Sequence, residues 1–148
     1  MLKGDDLVRF YERLCGPFIH MAQGDKAIWV RYLMSGGSAW APFTYDVRVG
    51  NGVEMPSGSL PLSVKAAFAL TTKRIDAVNF GREKIRIIEV KLRAGASAVG
   101  QLITYRDLFV RTYPNTPPIE MWLITDQLQP DMISVLIETG INYIEVGY

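Results

Sequence analysis

The pattern of apolar and polar positions is most informative in the middle of the chain. There two strand-like runs, residues 72–80 (TKRIDAVNF) and 85–92 (IRIIEVKL), flank the short polar stretch Gly81-Arg82-Glu83-Lys84. That arrangement predicts a β-hairpin. Upstream, Leu7, Val8, Tyr11 and Leu14 recur at helical spacing, so residues 5–21 are predicted as a helix capped by Asp5 or Asp6. Residues 27–34 (AIWVRYLM) and 43–49 (FTYDVRV) read as strands separated by the turn-rich Ser35-Gly36-Gly37-Ser38. Residues 50–59 read as a loop, and 60–70 as a short helix, although helix and strand are hard to separate there.

Downstream of the hairpin, Arg93-Ala94-Gly95-Ala96-Ser97 connects a strand to a helix, with Gly95 or Ser97 as candidate N-cap. The helix is predicted to run to about Tyr113, with Val99, Leu102, Ile103, Arg106, Phe109, Val110 and Tyr113 along one side. Pro114-Asn115-Thr116-Pro117-Pro118 ends it. Residues 119–125 read as an apolar strand, 130–139 as a helix opened by Pro130 and closed by Gly140, and 141–146 as a last strand. The order β-β-α-β-α-β predicts an α/β fold, a mixed sheet flanked by helices, in a single domain over residues 1–148.

Composition narrows the chemistry. A chain of 148 residues that is 49% hydrophobic can bury a core. It has no apolar run long enough to span a membrane and opens on Met-Leu-Lys-Gly-Asp-Asp rather than a signal peptide, so an intracellular, cytoplasmic setting is the default expectation. One cysteine, Cys15, excludes an internal disulfide and a cysteine-rich zinc site, and one histidine, His20, removes most histidine-dependent catalysis. Five residues apart on one predicted helix, Cys15 and His20 point different ways and read as core rather than as nucleophile and base. Trp29, Trp40 and Tyr45 could stack on bases, but aromatics in strand-like runs are more often core.

Net charge is only +1, yet it is unevenly spread. Residues 65–93 hold eight bases against three acids, a net +5, whereas residues 114–148 hold five acids and no Lys or Arg. Within the basic stretch the hairpin register pairs Phe80 with Ile85 and therefore Asp76 with Glu89. Strand alternation then puts Lys91 on the same face. Directly opposed residues have Cβ atoms roughly 4.5–5.5 Å apart, where like charges repel. A divalent cation relieves that repulsion, since Mg²⁺ takes one or two carboxylates and fills its other positions with water and phosphate. Ile85 and Ile87 share the Glu89 face, and charges beside apolar neighbours are costly without a task. A basic surround, including Lys73, Arg74 and Arg93, suits a bound polyanion.

Arg74-Ile75-Asp76-Ala77 followed by Ile88-Glu89-Val90-Lys91 resembles the PD-(D/E)xK nuclease superfamily. Gln101-Leu102-Ile103-Thr104-Tyr105, whose Gln101 and Tyr105 share a helix face, is similar to the Gln-x-x-x-Tyr signature of its RecB-like branch. The likeness covers residues from about 72 to 148 and departs from the family pattern in having Ile75, not Pro, before Asp76. It implies a restriction-endonuclease-like core and hydrolysis of DNA phosphodiester bonds by a water activated by Mg²⁺ or Mn²⁺. Asp76, Glu89 and the Val90 carbonyl would hold the ion, with Glu12 on the N-terminal helix as a further candidate ligand. Lys91 would stabilise the charge building on the phosphoryl group, Gln101 would contact Lys91, water or phosphate, and Tyr105 would lie near the nucleic acid. It also implies DNA as partner, and either a homodimer or a subunit of a larger nucleic-acid-processing or viral assembly, compact nucleases of this kind being frequent in phages. A catalytically silent nuclease fold, binding nucleic acid or serving as a structural assembly component, is the alternative.

Overall fold

The computed structural model describes residues 3–18, 20–50 and 73–147. Helices α1 (Gly4–Cys15) and α2 (Gln23–Met34) come first, then a 3-10 turn (Gly37–Trp40) and strand β1 (Thr44–Val49). After them follow β2 (Lys73–Phe80), β3 (Ile85–Ala94), α3 (Ala96–Thr112), β4 (Ile119–Leu128), α4 (Met132–Thr139) and β5 (Ile141–Glu145). The predicted loop beyond Gly50 and the predicted helix over 60–70 lie outside the described residues.

The five strands form one mixed sheet in the order β1-β2-β3-β4-β5. β1, β2 and β3 are antiparallel neighbours, while β4 and β5 continue parallel to β3, each reached through a helix. Helices cover both faces, as the parallel half of such a sheet requires. Val78, Ile85, Ile87 and Leu123 pack with Leu102 and Phe109 of α3 and Leu136 of α4. On the opposite face Ala77, Ile88, Val90 and Ile124 pack with Ile28, Trp29 and Leu33 of α2 and Val8 of α1. No helix among the described residues is long and apolar enough to cross a membrane.

Three sequence expectations are corrected. Residues 27–34 are not a strand but most of α2. The run is β-branched and aromatic, and the helix buries Ile28, Trp29, Val30, Tyr32 and Leu33, so no polar stripe marks its period. The N-terminal helix stops at Cys15 rather than near residue 21, because Gly16 and Pro17 follow and proline cannot continue a helix. On α3 the buried face is Ala98, Val99, Leu102, Tyr105 and Phe109, while Ile103 and Val110 are exposed. The aromatics near the start of the chain are structural. Trp29 is fully buried, meets Phe43 edge-on at 4.9 Å and donates its indole N–H to Tyr45 Oη at 3.2 Å. Trp40 packs against Trp122 at 4.8 Å beneath the Arg86 guanidinium.

Candidate metal and phosphate site

The β2–β3 register runs from Phe80–Ile85 through Asn79–Arg86 and Val78–Ile87 to Ala77–Ile88, as the hairpin reading requires. The next step would pair Asp76 with Glu89. There the ladder ends, although both strands continue. On the other side of β2, the β1 register passes from Tyr45–Ala77 to Val47–Ile75. The skipped residue, Asp46, lies in the left-handed region at φ 53°. Asp76 thus stands where the sheet is interrupted on both sides. Its side chain replaces part of the missing ladder: Oδ2 accepts the Val90 N–H at 2.8 Å. Two residues on, the Leu92 N–H is donated not to a strand but to Asp25 Oδ1 of α2, again at 2.8 Å.

Glu89 is 2% exposed, in line with Ile85 and Ile87 on the face covered by α3. Its Oε1 meets Lys91 Nζ at 3.3 Å, and its Oε2 is buried without a hydrogen-bond partner. Burial pushes the Asp76 carboxyl up to about 6, against the pull of the Val90 N–H and of Lys91. Burial and then the charge of Asp76 push Glu89 up to about 9, with Lys91 opposing. Two neighbouring carboxyls, one of them buried, cannot both ionise freely, so near neutral pH the pair holds a proton. Burial alone would lower the ammonium of Lys91. Glu89, then Asp76 and Asp25, outweigh it and hold the group above its ordinary value, so it stands as a fixed cation rather than a base.

From α3, Tyr105 is 7% exposed, its hydroxyl raised by burial and by the Glu89 and Asp76 charges. Gln101 beside it opposes that rise and keeps its own Oε1 buried and unpartnered. Beside them a cleft of about 240 Å³ is lined by Lys73, Gly100, Gln101, Thr104 and Tyr105. The fold therefore brings Asp76, Glu89, Lys91, Gln101 and Tyr105 together and puts Lys73 on the rim. Arg74 and Arg93 are exposed nearby in sequence, Arg74 in hydrogen-bond contact with His20 Nδ1 at 2.8 Å. His20 is exposed rather than core, and Cys15 is half-buried.

Glu12 is not drawn to the paired carboxylates. It accepts from Lys26 Nζ at 2.9 Å and ties α1 to the first turns of α2. The residue that sequence reasoning missed is Asp25, whose charge reaches both Asp76 and Lys91. Reading residues 27–34 as a strand hid it. In the first turn of a helix an acid is favoured by the helix dipole, and that position was the available signal.

Whether a divalent cation suits these residues is tested by the orphaned Glu89 Oε2, a buried acceptor facing a second carboxylate. A pair of carboxylates suits Mg²⁺ or Mn²⁺, which takes one or two of them and fills its other positions with water and phosphate oxygens. No third Asp, Glu, His or Cys completes a protein-only metal cluster among the described residues. Zinc, which prefers nitrogen and sulfur ligands, fits poorly. Comparison with protein-family models, with curated proteins and with solved structures found no match for this chain.

Proposed function

We propose that this chain is a metal-dependent nuclease that hydrolyses DNA phosphodiester bonds, built on a restriction-endonuclease-like core. The observation that carries the reading is a pair of carboxylates, Glu89 buried and Asp76 half-buried, placed at a break in the sheet with Lys91 3.3 Å from Glu89. Such a pair costs stability by burial and mutual repulsion, and proteins keep perturbed groups of this kind mainly at functional sites. The mixed sheet with β3 at its centre and α3 following supports the same reading, because the charges of Asp76 and Glu89 reach Tyr105, which with Gln101 and Lys73 lines a cleft.

Asp76, Glu89 and the Val90 carbonyl are the groups that would hold Mg²⁺ or Mn²⁺. Bound there, the ion supplies Lewis acidity toward a phosphate and lowers the pKa of water. The chain's own residues do the rest. Lys91, kept charged by its neighbours, stabilises negative charge as it builds on the phosphoryl oxygens. Gln101, with an unpaired acceptor, orients a water or the Lys91 ammonium. Lys73, Arg74 and Arg93 hold the flanking backbone phosphates without reading sequence.

Incubation with single-stranded, duplex and branched DNA in Mg²⁺ or Mn²⁺ tests this. Cleavage is expected in wild type, with a loss of at least about 100-fold in Asp76→Ala and Lys91→Ala. Wild-type protein that binds DNA but cleaves none of these substrates would instead indicate a silent nuclease fold used for binding or assembly.

A further inference from the structure

Asp25 is not among the groups that would hold the ion or the phosphates, yet its geometry is specific. The first turn of α2 lies directly against the end of β3: a Cβ on Gly24 would come within 3.1 Å of Leu92 Cδ2. From the next position Asp25, half-buried, takes the Leu92 N–H at 2.8 Å. That N–H belongs to the part of β3 beyond Ala77–Ile88, where the β2 register has ended. Val90 and Leu92 are the residues on either side of Lys91, and both give their N–H groups to side-chain carboxylates instead of to the β2 backbone.

We propose that Asp25 is a positioning residue: by accepting the Leu92 amide it holds the end of β3 apart from β2 and fixes where the Lys91 ammonium stands. Asp76 and Asp25 act as two clasps on the same strand edge, one on each side of Lys91. Without the second clasp the Leu92 N–H faces water, and the β2-side edge of β3 around Lys91 is held by Asp76 alone, the other edge staying paired with β4. The charge of Asp25, which reaches Lys91, works in the same direction. Lys26, the next residue, is held by Glu12, so α1 steadies the turn that carries the clasp. The proposal rests on the nuclease reading for its consequence in catalysis, but the clasp itself can be tested without it.

The experiment is a double-mutant cycle of Asp25→Ala with Lys91→Ala on the full chain, with Asp25→Asn as the conservative variant and amide hydrogen exchange as a second readout. In the Lys91 background, Asp25→Ala is expected to lower kcat by about 10- to 100-fold while KM changes by less than about twofold. In the Lys91→Ala background the same change is expected to cost less than about threefold, because residues acting as a unit are non-additive. Asp25→Asn keeps an acceptor oxygen and is expected to recover part of the loss. Exchange of the Leu92 amide should rise at least about tenfold in Asp25→Ala and much less in Asp25→Asn.

Additive losses in the cycle, or an unchanged Leu92 amide in folded Asp25→Ala, would overturn the proposal. So would a drop in Mn²⁺ affinity equal in the Asn and Ala variants, which would make Asp25 an ion ligand instead. If wild type cleaves nothing, Leu92 exchange decides alone: faster exchange in Asp25→Ala upholds the clasp while the nuclease reading falls.

Discussion

Glu89 is the residue on which the chemistry and the stability of this protein pull in opposite directions. Its carboxyl is raised to about 9 and that of Asp76 to about 6, from ordinary values of 4.5 and 3.8. Groups with folded pKa values above their unfolded ones stabilise the fold fully at pH below the unfolded values, and that contribution is lost as pH rises through the folded ones. The metal-free protein is therefore expected to melt at lower temperature at pH 9 than at pH 5, measured in chelator, with the Glu89→Gln variant showing a much flatter trend. Glu89→Gln is also expected to melt higher than wild type at pH 8 in chelator, because folding of wild type must take up a proton at Glu89 at that pH and glutamine needs none. The same substitution should abolish cleavage. A melting temperature of wild type that rises from pH 5 to pH 9 would contradict this.

Among the elements, α2 and the β2–β3 hairpin show where sequence and structure agree and where they part. The hairpin was legible because Arg82 and its polar neighbours bound two runs whose pairing follows from loop length alone, and Phe80 does pair with Ile85. From that register the meeting of Asp76 with Glu89 followed. α2 was not legible. Ile28, Trp29, Val30, Tyr32 and Leu33 are buried on nearly every side by the sheet, the 3-10 turn and α1, which erases the helical stripe. Asp25 was lost with it, since its meaning depends on α2 lying against Leu92. The break in the ladder at Asp76 was equally invisible, because a pairing pattern does not reveal where two strands cease to pair. At this scale Trp29→Ala is expected to cost about 3–5 kcal/mol in chemical denaturation, with loss of helical signal. Gly140, at φ 71° past the end of α4, is expected to lose about 1 kcal/mol on substitution by Ala. A cost below about 0.3 kcal/mol at Gly140 would speak against that left-handed cap.

For the molecule as a whole, charge is separated along the chain: bases concentrate at and around the β2–β3 hairpin, acids in β4, α4 and β5. DNA is expected to approach the Lys73 side, so its affinity should fall steeply as salt rises. Lys73→Glu and Arg74→Glu should each weaken binding of all sequences alike, and should leave the metal-free melting temperature nearly unchanged. Binding measured by anisotropy between low and physiological salt would show this, and an affinity independent of salt would exclude a phosphate-led interface. All of it rests on one arrangement, the close carboxylate pair of Asp76 and buried Glu89 beside Lys91. The most direct measurement is a calorimetric titration of Mn²⁺ at pH 8 into wild type, Asp76→Ala and Glu89→Gln. One ion bound by wild type with release of a proton, and no binding by either variant, is the expected result; binding unchanged by both substitutions, or none in wild type, would contradict it.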